Sequence, residues 1–324
     1  MASQQKLIRT CSIWRALEVV GDTAILLILE AGWLGARRFD EFRARTGLLK
    51  ALISDRLKKL VAAGILEKRP YTNTPPRFDY VMTEKGRDLY WTALMLLRWE
   101  SIWGRNQGKI SLTLRHRTCG KVFTPEPVCG HCMEPAVAKN ITWTEGPGVG
   151  RMAPVYSRRR QKRDPMDGDR FHTSLFDEAA QLMGDRWAGL ILRSIFTGER
   201  KFDEITADTA MATNILSERL SWLMSIDVIE QHQYHESPAR FEYRLTEKGI
   251  DYYPVLLMLL QWGDKYYVSP EGPPLILHHK PCGNELDAII VCSECKQPLD
   301  PRDVEFEVTE RKSARRKPAL EAAV

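Results

Sequence analysis

The chain has 324 residues, enough for two or more domains, and its formal net charge of +5 is only mildly basic. This charge permits nucleic-acid binding but does not by itself predict it. The longest apolar run, AILLILEAGWLGA, contains Glu30 and is too short to span a bilayer, and the N-terminal residues lack a signal-peptide pattern. We therefore expect a cytoplasmic protein without a membrane partner, in which paired CxxC spacings indicate metal rather than disulfides.

The first predicted elements are a short flexible arm at residues 1–10 and a helix from Ser12 to Val20. Cys11 stands at the start of this helix. A thiol near a helix N terminus can have a lowered pKa, which favours the reactive thiolate. Cys11 is therefore a candidate redox sensor, and an inert, half-buried thiol is the alternative.

The segment from Arg37 to Gly86 predicts two helices followed by a hairpin. Phe39 and Phe42 mark a short helix, and Gly47 supplies the bend after it. A longer helix follows, because apolar residues recur with the three-and-four spacing of one helix face: Leu49, Leu52, Ile53, Leu57, Leu60 and Val61. Beyond Gly64, two short strands flank a Pro-Pro turn. This order predicts a winged helix-turn-helix, in which the longer helix enters a DNA groove.

The whole pattern occurs twice. Gly21-Asp22 recurs as Gly184-Asp185, so the offset is 184 minus 21, or 163 residues. The other anchors at this offset are Arg38–Glu41 with Lys201–Glu204, Ser54–Leu57 with Ser217–Leu220, Arg77–Tyr80 with Arg240–Tyr243, Thr83–Gly86 with Thr246–Gly249, and Trp99 with Trp262. A repeat of this length is a duplicated domain rather than a solenoid unit.

The motifs GD before an apolar helix, RRFDEF, LSERL and PPRFDYVMTEKG, followed by a late tryptophan, resemble a known family. The chain is similar to the HxlR-type winged helix-turn-helix transcription regulators of bacteria and archaea over about residues 8–103 and 171–266. The resemblance implies homodimers that are joined through their terminal helices and bind operators with dyad symmetry. It therefore implies that this tandem chain forms a dimer-like pair by itself. In this family a cysteine near the position of Cys11 is frequent and in some members senses oxidants or electrophiles.

The two units differ in charge. Residues 37–69 contain ten basic and four acidic side chains, a balance of +6, whereas residues 200–232 contain three basic and six acidic ones, a balance of −3. Since phosphate neutralisation dominates DNA affinity, the first unit is predicted to supply most of the attraction. Thr213-Asn214 takes the place of Lys50-Ala51, and asparagine can read an adenine edge. We therefore expect an asymmetric operator, or one strong and one weak half-site.

The candidate DNA-binding residues lie on the two recognition helices, the helices before them and the wings. They are Arg37, Arg38, Lys50, Ser54, Arg56, Lys58, Arg77, Arg200, Lys201, Thr213, Asn214, Ser217, Arg219 and Arg240. For the wing arginines, pairing with nearby acids is the alternative. The acids beside Phe39 and Phe202 are predicted to face the helix dipole in the first turn rather than to perform acid-base chemistry: Asp40, Glu41, Asp203 and Glu204.

A second repeated motif follows each winged helix. His116-x2-Cys119-x9-Cys129-x2-Cys132 recurs as His279-x2-Cys282-x9-Cys292-x2-Cys295. Two short-spaced pairs separated by a hairpin-length insert are typical of a closed tetrahedral zinc site, so each repeat is predicted to hold one structural Zn2+. Unmetallated cytosolic thiols are the alternative. In the first copy His131 is a rival ligand, whereas Glu294 stands at its place in the second.

Basic runs between the repeats and at the C-terminal end could follow phosphates or serve only as solvated, disordered charge. They comprise Arg158, Arg159, Arg160, Lys162, Arg163, Arg311, Lys312, Arg315, Arg316 and Lys317. The predicted divisions are a first winged helix at 8–106, a Cys-rich element at 112–144, a linker at 145–170, a second winged helix at 171–269, a second Cys-rich element at 275–308 and a tail at 309–324.

The sequence thus predicts a mainly α fold with small β wings (α+β), in which two winged helix-turn-helix domains are each followed by a small zinc-ribbon-like β element. The expected function is a sequence-specific transcriptional regulator that binds a double-stranded DNA operator as an intramolecular pseudo-dimer. The alternative is a protein-interaction or scaffold module in which one or both units no longer bind DNA. No nucleophile, base and orienting residue form a recognisable pattern, so an enzyme is not predicted. An effector and further homodimerisation stay open.

Overall fold

The computed structural model describes residues 7–104, 110–153, 175, 177–236 and 239–310. The elements of the first repeat are β1 (Ile8–Arg9), α1 (Ser12–Val20), α2 (Thr23–Trp33), α3 (Phe39–Thr46), α4 (Lys50–Ala62), β2 (Leu66–Asn73), β3 (Pro76–Met82), α5 (Glu84–Asp88), α6 (Tyr90–Trp103), β4 (Ile110–His116), β5 (Pro125–Cys129), β6 (Ile141–Glu145) and β7 (Arg151–Met152). Those of the second are α7 (Asp177–Gly184), α8 (Arg186–Thr197), α9 (Phe202–Thr209), α10 (Thr213–Ser225), β8 (Ile229–Glu236), β9 (Ala239–Leu245), α11 (Glu247–Ile250), α12 (Tyr253–Tyr267), β10 (Leu275–His279), β11 (Ala288–Cys292) and β12 (Val304–Glu310).

Each repeat contains a winged helix-turn-helix, which confirms the predicted mainly helical fold with small β wings. In the first repeat, α3 and α4 are the helix pair, and β2 and β3 form the antiparallel wing. In the second, α9 and α10 are followed by the wing of β8 and β9. The predicted bend at Gly47 and helix end at Gly64 both adopt left-handed backbone, with φ of 65° and 69°. The equivalent residues, Ala210 and Asp227, are also left-handed, with φ of 51° and 61°.

Acidic side chains at helix starts explain several of the repeated motifs. Asp22 accepts a hydrogen bond from the amide of Ile25 at the start of α2, and Asp185 caps α8 in the same way. Before α3, Glu41 accepts hydrogen bonds from the amides of Arg37 and Arg38 at 2.8 and 3.0 Å, and these bonds lower the pKa of the Glu41 carboxyl. Through these contacts Glu41 caps the start of α3.

The helices of the two repeats pack against each other. Helix α1 contacts α12, and α6 contacts both α7 and α12. Two tryptophans at equivalent positions link the repeats, since Trp99 Nε1 donates to the Lys248 carbonyl at 3.0 Å and Trp262 Nε1 donates to the Lys85 carbonyl at 2.9 Å. The described residues therefore show a dimer-like pair within one chain. Within the same residues, every helix is too short or too polar to span a membrane.

The strands of the Cys-rich segments pair between the repeats, not within them. Strand β4 pairs with β12, β6 with β10 and β5 with β11, all antiparallel. Pro127 lies opposite Ile290 in the β5–β11 pair, and these two residues are themselves separated by the repeat offset, 290 minus 127, or 163. The sequence predicted a small β element in each Cys-rich segment, but the expectation that each element completes itself is wrong.

The N-terminal arm is also more ordered than predicted. Residues 8 and 9 form β1, which pairs with β7. The Ile8 side chain is fully buried, and Arg9 forms an ion pair with Asp208 at 2.9 Å. The first repeat therefore extends its start onto the winged helix of the second repeat. A strand of two residues has too little periodicity to be detected in the sequence.

Candidate nucleic-acid interface and metal centres

The first recognition helix, α4, presents lysines opposite its buried face. Ile53, Leu57 and Leu60 are fully buried, which fixes the rotation of the helix against the core. Lys50 and Lys58 are consequently exposed. This arrangement, an apolar stripe inside and lysines outside, can place positive charge against a DNA backbone.

The second recognition helix, α10, has the same buried stripe but different surface chemistry. Its buried residues are Leu216, Leu220 and Leu223. The predicted base-reading residues Thr213, Asn214 and Ser217 are exposed at its start. Ser221 occupies the position of Lys58, and it is exposed too. The surface of α10 is therefore polar but uncharged where that of α4 is cationic.

Two of the arginines predicted to bind DNA form ion pairs with the aspartates that cap α2 and α8. Arg56 contacts Asp22 at 2.8 Å, and its side chain is 22% exposed. Arg219 contacts Asp185 at 2.5 Å and is 15% exposed. Each aspartate thus caps a helix and binds an arginine 34 residues further along the chain. The motif Gly-Asp could have indicated the cap, but the arginine partner was missed because it lies far away in sequence.

The start of each helix pair carries further exposed cations. Arg37 and Arg38 are exposed before α3, and Arg38 lies 4.4 Å above the Tyr71 ring of the wing. Arg200 and Lys201 are exposed at the equivalent place, where Lys201 Nζ donates to Glu204 at 3.0 Å. The Ser54 side chain, in contrast, is half-buried.

Each wing presents one of the predicted arginines. Arg77 lies on β3 and Arg240 on β9, and both are exposed. Neither forms an ion pair with another described residue. Within the described residues, the wing arginines therefore do not pair with neighbouring acids, contrary to what the alternative had supposed. The basic runs at 158–163 and 311–317, and Pro238 at the second wing tip, lie outside the described residues.

The eight predicted metal ligands form two clusters, each drawn from both repeats. One cluster comprises His116, Cys119, Cys292 and Cys295, and the other comprises Cys129, Cys132, His279 and Cys282. In each cluster the ligand atoms lie within 4.8 Å of one another. The structure brings together all eight residues that the sequence named, but the predicted grouping within one repeat is wrong. The strand exchange is the physical reason, because it carries the Cys-x2-Cys turn of one repeat to the His-x2-Cys turn of the other.

All four ligand pairs end in the same turn. The residue after each second ligand is left-handed, with φ between 58° and 73°: Gly120, Met133, Gly283 and Lys296. Its amide donates to the carbonyl of the first ligand residue at 2.7 to 2.9 Å. The turn brings both side chains of a pair to one side of the backbone. Two such turns facing each other supply four ligands to one point.

The distances within the clusters suit a tetrahedral zinc ion. With Zn–S of about 2.3 Å and Zn–N of about 2.0 Å, two thiolates lie about 3.8 Å apart and a thiolate and a nitrogen about 3.5 Å apart. The separation of Cys119 Sγ and Cys292 Sγ is 3.9 Å. His116 Nδ1 lies 3.5 Å from Cys119 Sγ and 3.3 Å from Cys295 Sγ. A set of three cysteines and one histidine at these separations fits Zn2+.

The surroundings of the second cluster favour the ligand forms of His279 and Cys282. His279 is fully buried, and its Nε2 lies 3.3 Å from the Pro135 carbonyl, a contact that leaves Nδ1 as the donor atom for a metal. A hydrogen bond from the Asn284 backbone, together with the His279 ring, lowers the pKa of the Cys282 thiol to about 6. The thiolate is the form that binds metal. The rival ligand His131 is exposed and belongs to neither cluster.

Cys11 lies apart from these clusters. It precedes α1 and is only 5% exposed. The reading of Cys11 as an inert thiol agrees with this burial, since a reactive cysteine must be accessible to its oxidant. The equivalent residue of the second repeat, Ser174, lies outside the described part of the chain.

Comparisons with known proteins agree with this architecture. The profile of the HxlR-like helix-turn-helix family matches residues 19–108 and again residues 182–271. An uncharacterized HTH-type transcriptional regulator of Mycobacterium tuberculosis is 38% identical over 135 residues, which are 42% of this chain and 85% of the relative. The HTH-type transcriptional regulator YodB of Bacillus subtilis is 34% identical over 91 residues, or 28% of this chain and 81% of YodB.

The crystal structure of diamide-treated YodB from Bacillus subtilis aligns with a TM-score of 0.25 and 32% identity, and covers 29% of this chain and 94% of that one. The two family matches together cover more than half of the 324 residues. They also lie at the repeat offset, 182 minus 19, or 163. The chain therefore belongs to the HxlR-like helix-turn-helix family, and it contains two copies of the family domain in tandem.

Proposed function

We propose that this DNA-binding transcriptional regulator acts as an intramolecular pseudo-dimer on an operator. The observation that carries the proposal is the packing of α1 and α6 on α12 and α7, which joins the two recognition helices within one chain. If this pair resembles a symmetric dimer, the two helices enter successive major-groove faces about 34 Å apart. Family membership supports DNA binding, and the helix packing supports the paired arrangement of the two recognition helices.

The two units contribute unequally to DNA binding in this proposal. The exposed Lys50 and Lys58 of α4 neutralise phosphates, whereas Thr213 and Ser221 at the equivalent positions of α10 are uncharged. Asn214 is exposed at the start of α10 and is suited to an adenine edge. The first unit therefore supplies most of the affinity, and the second unit supplies sequence information over a weaker half-site.

The exposed arginines outside the recognition helices contact the DNA backbone. Arg37 and Arg38 lie before α3, and Arg77 lies on the first wing. Arg200 and Arg240 occupy the equivalent places of the second unit. Contacts of this kind fix the register of the protein on the duplex. Arg56 and Arg219, in contrast, act by positioning α4 and α10.

The two clusters of cysteine and histidine hold structural Zn2+ ions in this proposal. The donor set, the separations within each cluster and the four similar turns support zinc. Four protein ligands leave no open position, so the ions stabilise the fold and are not catalytic. Because each cluster takes one pair from each repeat, each ion also connects the two repeats.

Selection from a random duplex library tests the DNA proposal. The purified, zinc-loaded chain should enrich a two-part site, and Asn214→Ala should relax base preference in one part only. The matched variant Ala51→Asn places the same side chain at the equivalent position of α4 and should add preference in the other part. Retention of DNA without an enriched sequence would reduce the claim to nonspecific binding. No retention at low salt would instead favour the interaction-module alternative.

Zinc stoichiometry in two reciprocal double variants tests the grouping of the ligands. Cys129→Ser with Cys282→Ser removes two ligands of one cluster, so one zinc per chain should remain. Cys119→Ser with Cys129→Ser removes one ligand from each cluster, so both ions should be weakened or lost. Grouping within each repeat predicts the opposite order. A chain purified without zinc that also fails to bind added zinc would remove the metal proposal.

A further inference from the structure

A cavity of about 380 Å3 lies where the first winged helix meets the shared strands. Its apolar walls come from α2, α3, the wing, α6 and β4, through Trp33, Phe42, Tyr80, Leu94 and Leu112. This volume falls in the range of pockets that bind small molecules. The cavity is separate from the DNA-facing lysines and from both metal clusters, so neither role accounts for it.

In the second unit, a much smaller cavity with about 20 Å3 of free space has a lining that corresponds to part of this one. The walls correspond at the repeat offset, because Arg193, Thr197, Leu260, Leu275 and Trp143 replace Glu30, Leu34, Leu97, Leu112 and Phe306. Among the described residues, the corresponding walls of the two units therefore enclose different amounts of free space.

The N-terminal strand borders the second cavity through Arg9. Arg9 reaches into it, forms an ion pair with Asp208 at 2.9 Å, and donates to Thr197 Oγ1 at 2.6 Å. The Arg9 guanidinium also lies 5.7 Å above the Trp143 ring. The residues offset from Ile8 and Arg9, numbers 171 and 172, lie outside the described part of the chain. Within the described part, no strand occupies the first cavity.

The charged side chains at the first cavity indicate which class of ligand it can bind. Arg37 and Arg87 line it and are both exposed, so its solvent side is cationic. Glu30 lies in the wall, is 6% exposed and accepts a hydrogen bond from the Leu175 amide at 2.9 Å. In the second unit Ile250 replaces Arg87, so the paired arginines are specific to the first. An apolar interior beside two arginines suits a flat apolar body that carries one negative charge.

We propose that this cavity binds one aromatic monocarboxylate per chain and thereby regulates DNA binding by the first unit. The ring lies among Trp33, Phe42 and Leu94, and the carboxylate faces Arg37 and Arg87. Phe42 belongs to α3 and forms an edge-to-face pair with Tyr80 of the wing, with centroids 6.3 Å apart. A ligand between these elements changes how the helix pair sits relative to the wing. This regulatory part rests on the proposed DNA-binding function, whereas ligand binding itself does not.

Calorimetric titration of the zinc-loaded full chain with 2-naphthoate tests the site without DNA. We expect one binding event per chain. Leu97→Trp, which fills the cavity, should abolish it. Arg87→Ala should weaken 2-naphthoate binding at least tenfold but leave binding of the neutral analogue 2-naphthol within threefold. The matched variant Arg244→Ala removes an exposed arginine of the second wing, outside the cavity lining, and should change the binding of neither ligand.

Absence of binding at millimolar 2-naphthoate would overturn the proposal, as would binding that persists in both Leu97→Trp and Arg87→Ala. Binding that occurs only after Phe171→Gly would also overturn it, because the chain itself would then compete for the cavity. The DNA readout is separate: 2-naphthoate should shift the dissociation constant for the selected duplex at least threefold in the parent chain and not in Leu97→Trp. A chain that binds 2-naphthoate but no DNA would overturn only the regulatory part.

Discussion

The two winged helices share a fold but differ on the surfaces that face outward. The first has lysines on its recognition helix and glycines at its left-handed turns, Gly47 and Gly64. The second has a neutral recognition helix, with Ala210 and Asp227 forced into the same left-handed turns. Left-handed backbone is costly for alanine and nearly free for glycine. The second unit therefore keeps the shape of the first at a higher conformational cost.

The junction between the repeats differs from the outward-facing surfaces, because the residues on its two sides are nearly identical. Trp99 and Trp262 donate equivalent hydrogen bonds across it, and each metal cluster combines three cysteines with one histidine. A cluster that takes half its ligands from each repeat requires both copies to keep their residues. A DNA-facing surface carries no such mutual requirement. The shared junction therefore constrains the residues of both repeats at once, whereas their DNA-facing residues can differ.

Metal removal should produce the largest effect, because it acts on the junction and hence on both units. We expect the chelated protein to lose about 5 kcal/mol or more of unfolding free energy, since binding of structural zinc is coupled to folding. Thermal unfolding with and without chelator measures the loss. Cys11→Ser, which changes a cysteine outside the clusters, should leave the chelator effect intact. Unfolding at the same temperature in both states would contradict a structural role for the metal.

Removing the recognition-helix lysines should sharpen the difference between the units. Lys50→Ala with Lys58→Ala should weaken DNA binding by about tenfold or more and reduce the salt slope by about 2, because two phosphate contacts are lost. The matched pair Thr213→Ala with Ser221→Ala should leave the slope unchanged. Fluorescence anisotropy across a salt series gives both quantities. Equal slopes for the two double variants would contradict a dominant first unit.

Arg56→Ala should affect stability more than it affects DNA contact. It leaves Asp22 partly buried without its cation, and we expect a loss of about 1–3 kcal/mol in unfolding free energy, reduced by the residual exposure of the pair. Lys58→Ala on the same helix is the control and should be neutral for stability. Denaturant titration provides the measurement. Weaker DNA binding with unchanged stability would show that Arg56 contacts DNA, as the sequence predicted.

The smallest expected effect is a change in unfolding free energy at the left-handed turn between the two helices of each helix-turn-helix, where the first unit has Gly47 and the second has Ala210. Ala210→Gly should raise the unfolding free energy by about 0.5–1 kcal/mol, because the left-handed conformation at this position is unfavourable for alanine. Gly47→Ala, the reciprocal change in the first unit, should lower it by about 1 kcal/mol. Paired denaturant titrations compare the two variants. If Ala210→Gly destabilises the protein, the cost attributed to this turn is wrong.

Local features of this fold could be predicted from the sequence because their causes are local. Helical spacing located α4, and Gly64 marked its end. The ligand residues could also be identified, since each pair is three residues apart. Their grouping could not, because the two repeats carry the same spacing and only strand pairing decides which pairs meet. The ion pair of Arg56 could not be predicted for a similar reason: its partner Asp22 becomes a neighbour only when α4 packs on α2.

The most direct test of the central claim is a hydroxyl-radical footprint of the zinc-loaded chain on its selected duplex at increasing salt. We predict two protected segments about one helical turn apart at low salt, with only one segment surviving as salt increases. Lys50→Ala with Lys58→Ala should remove the surviving segment. A single segment at every salt concentration, or two segments that disappear together, would contradict an asymmetric pair of winged helices joined in one chain.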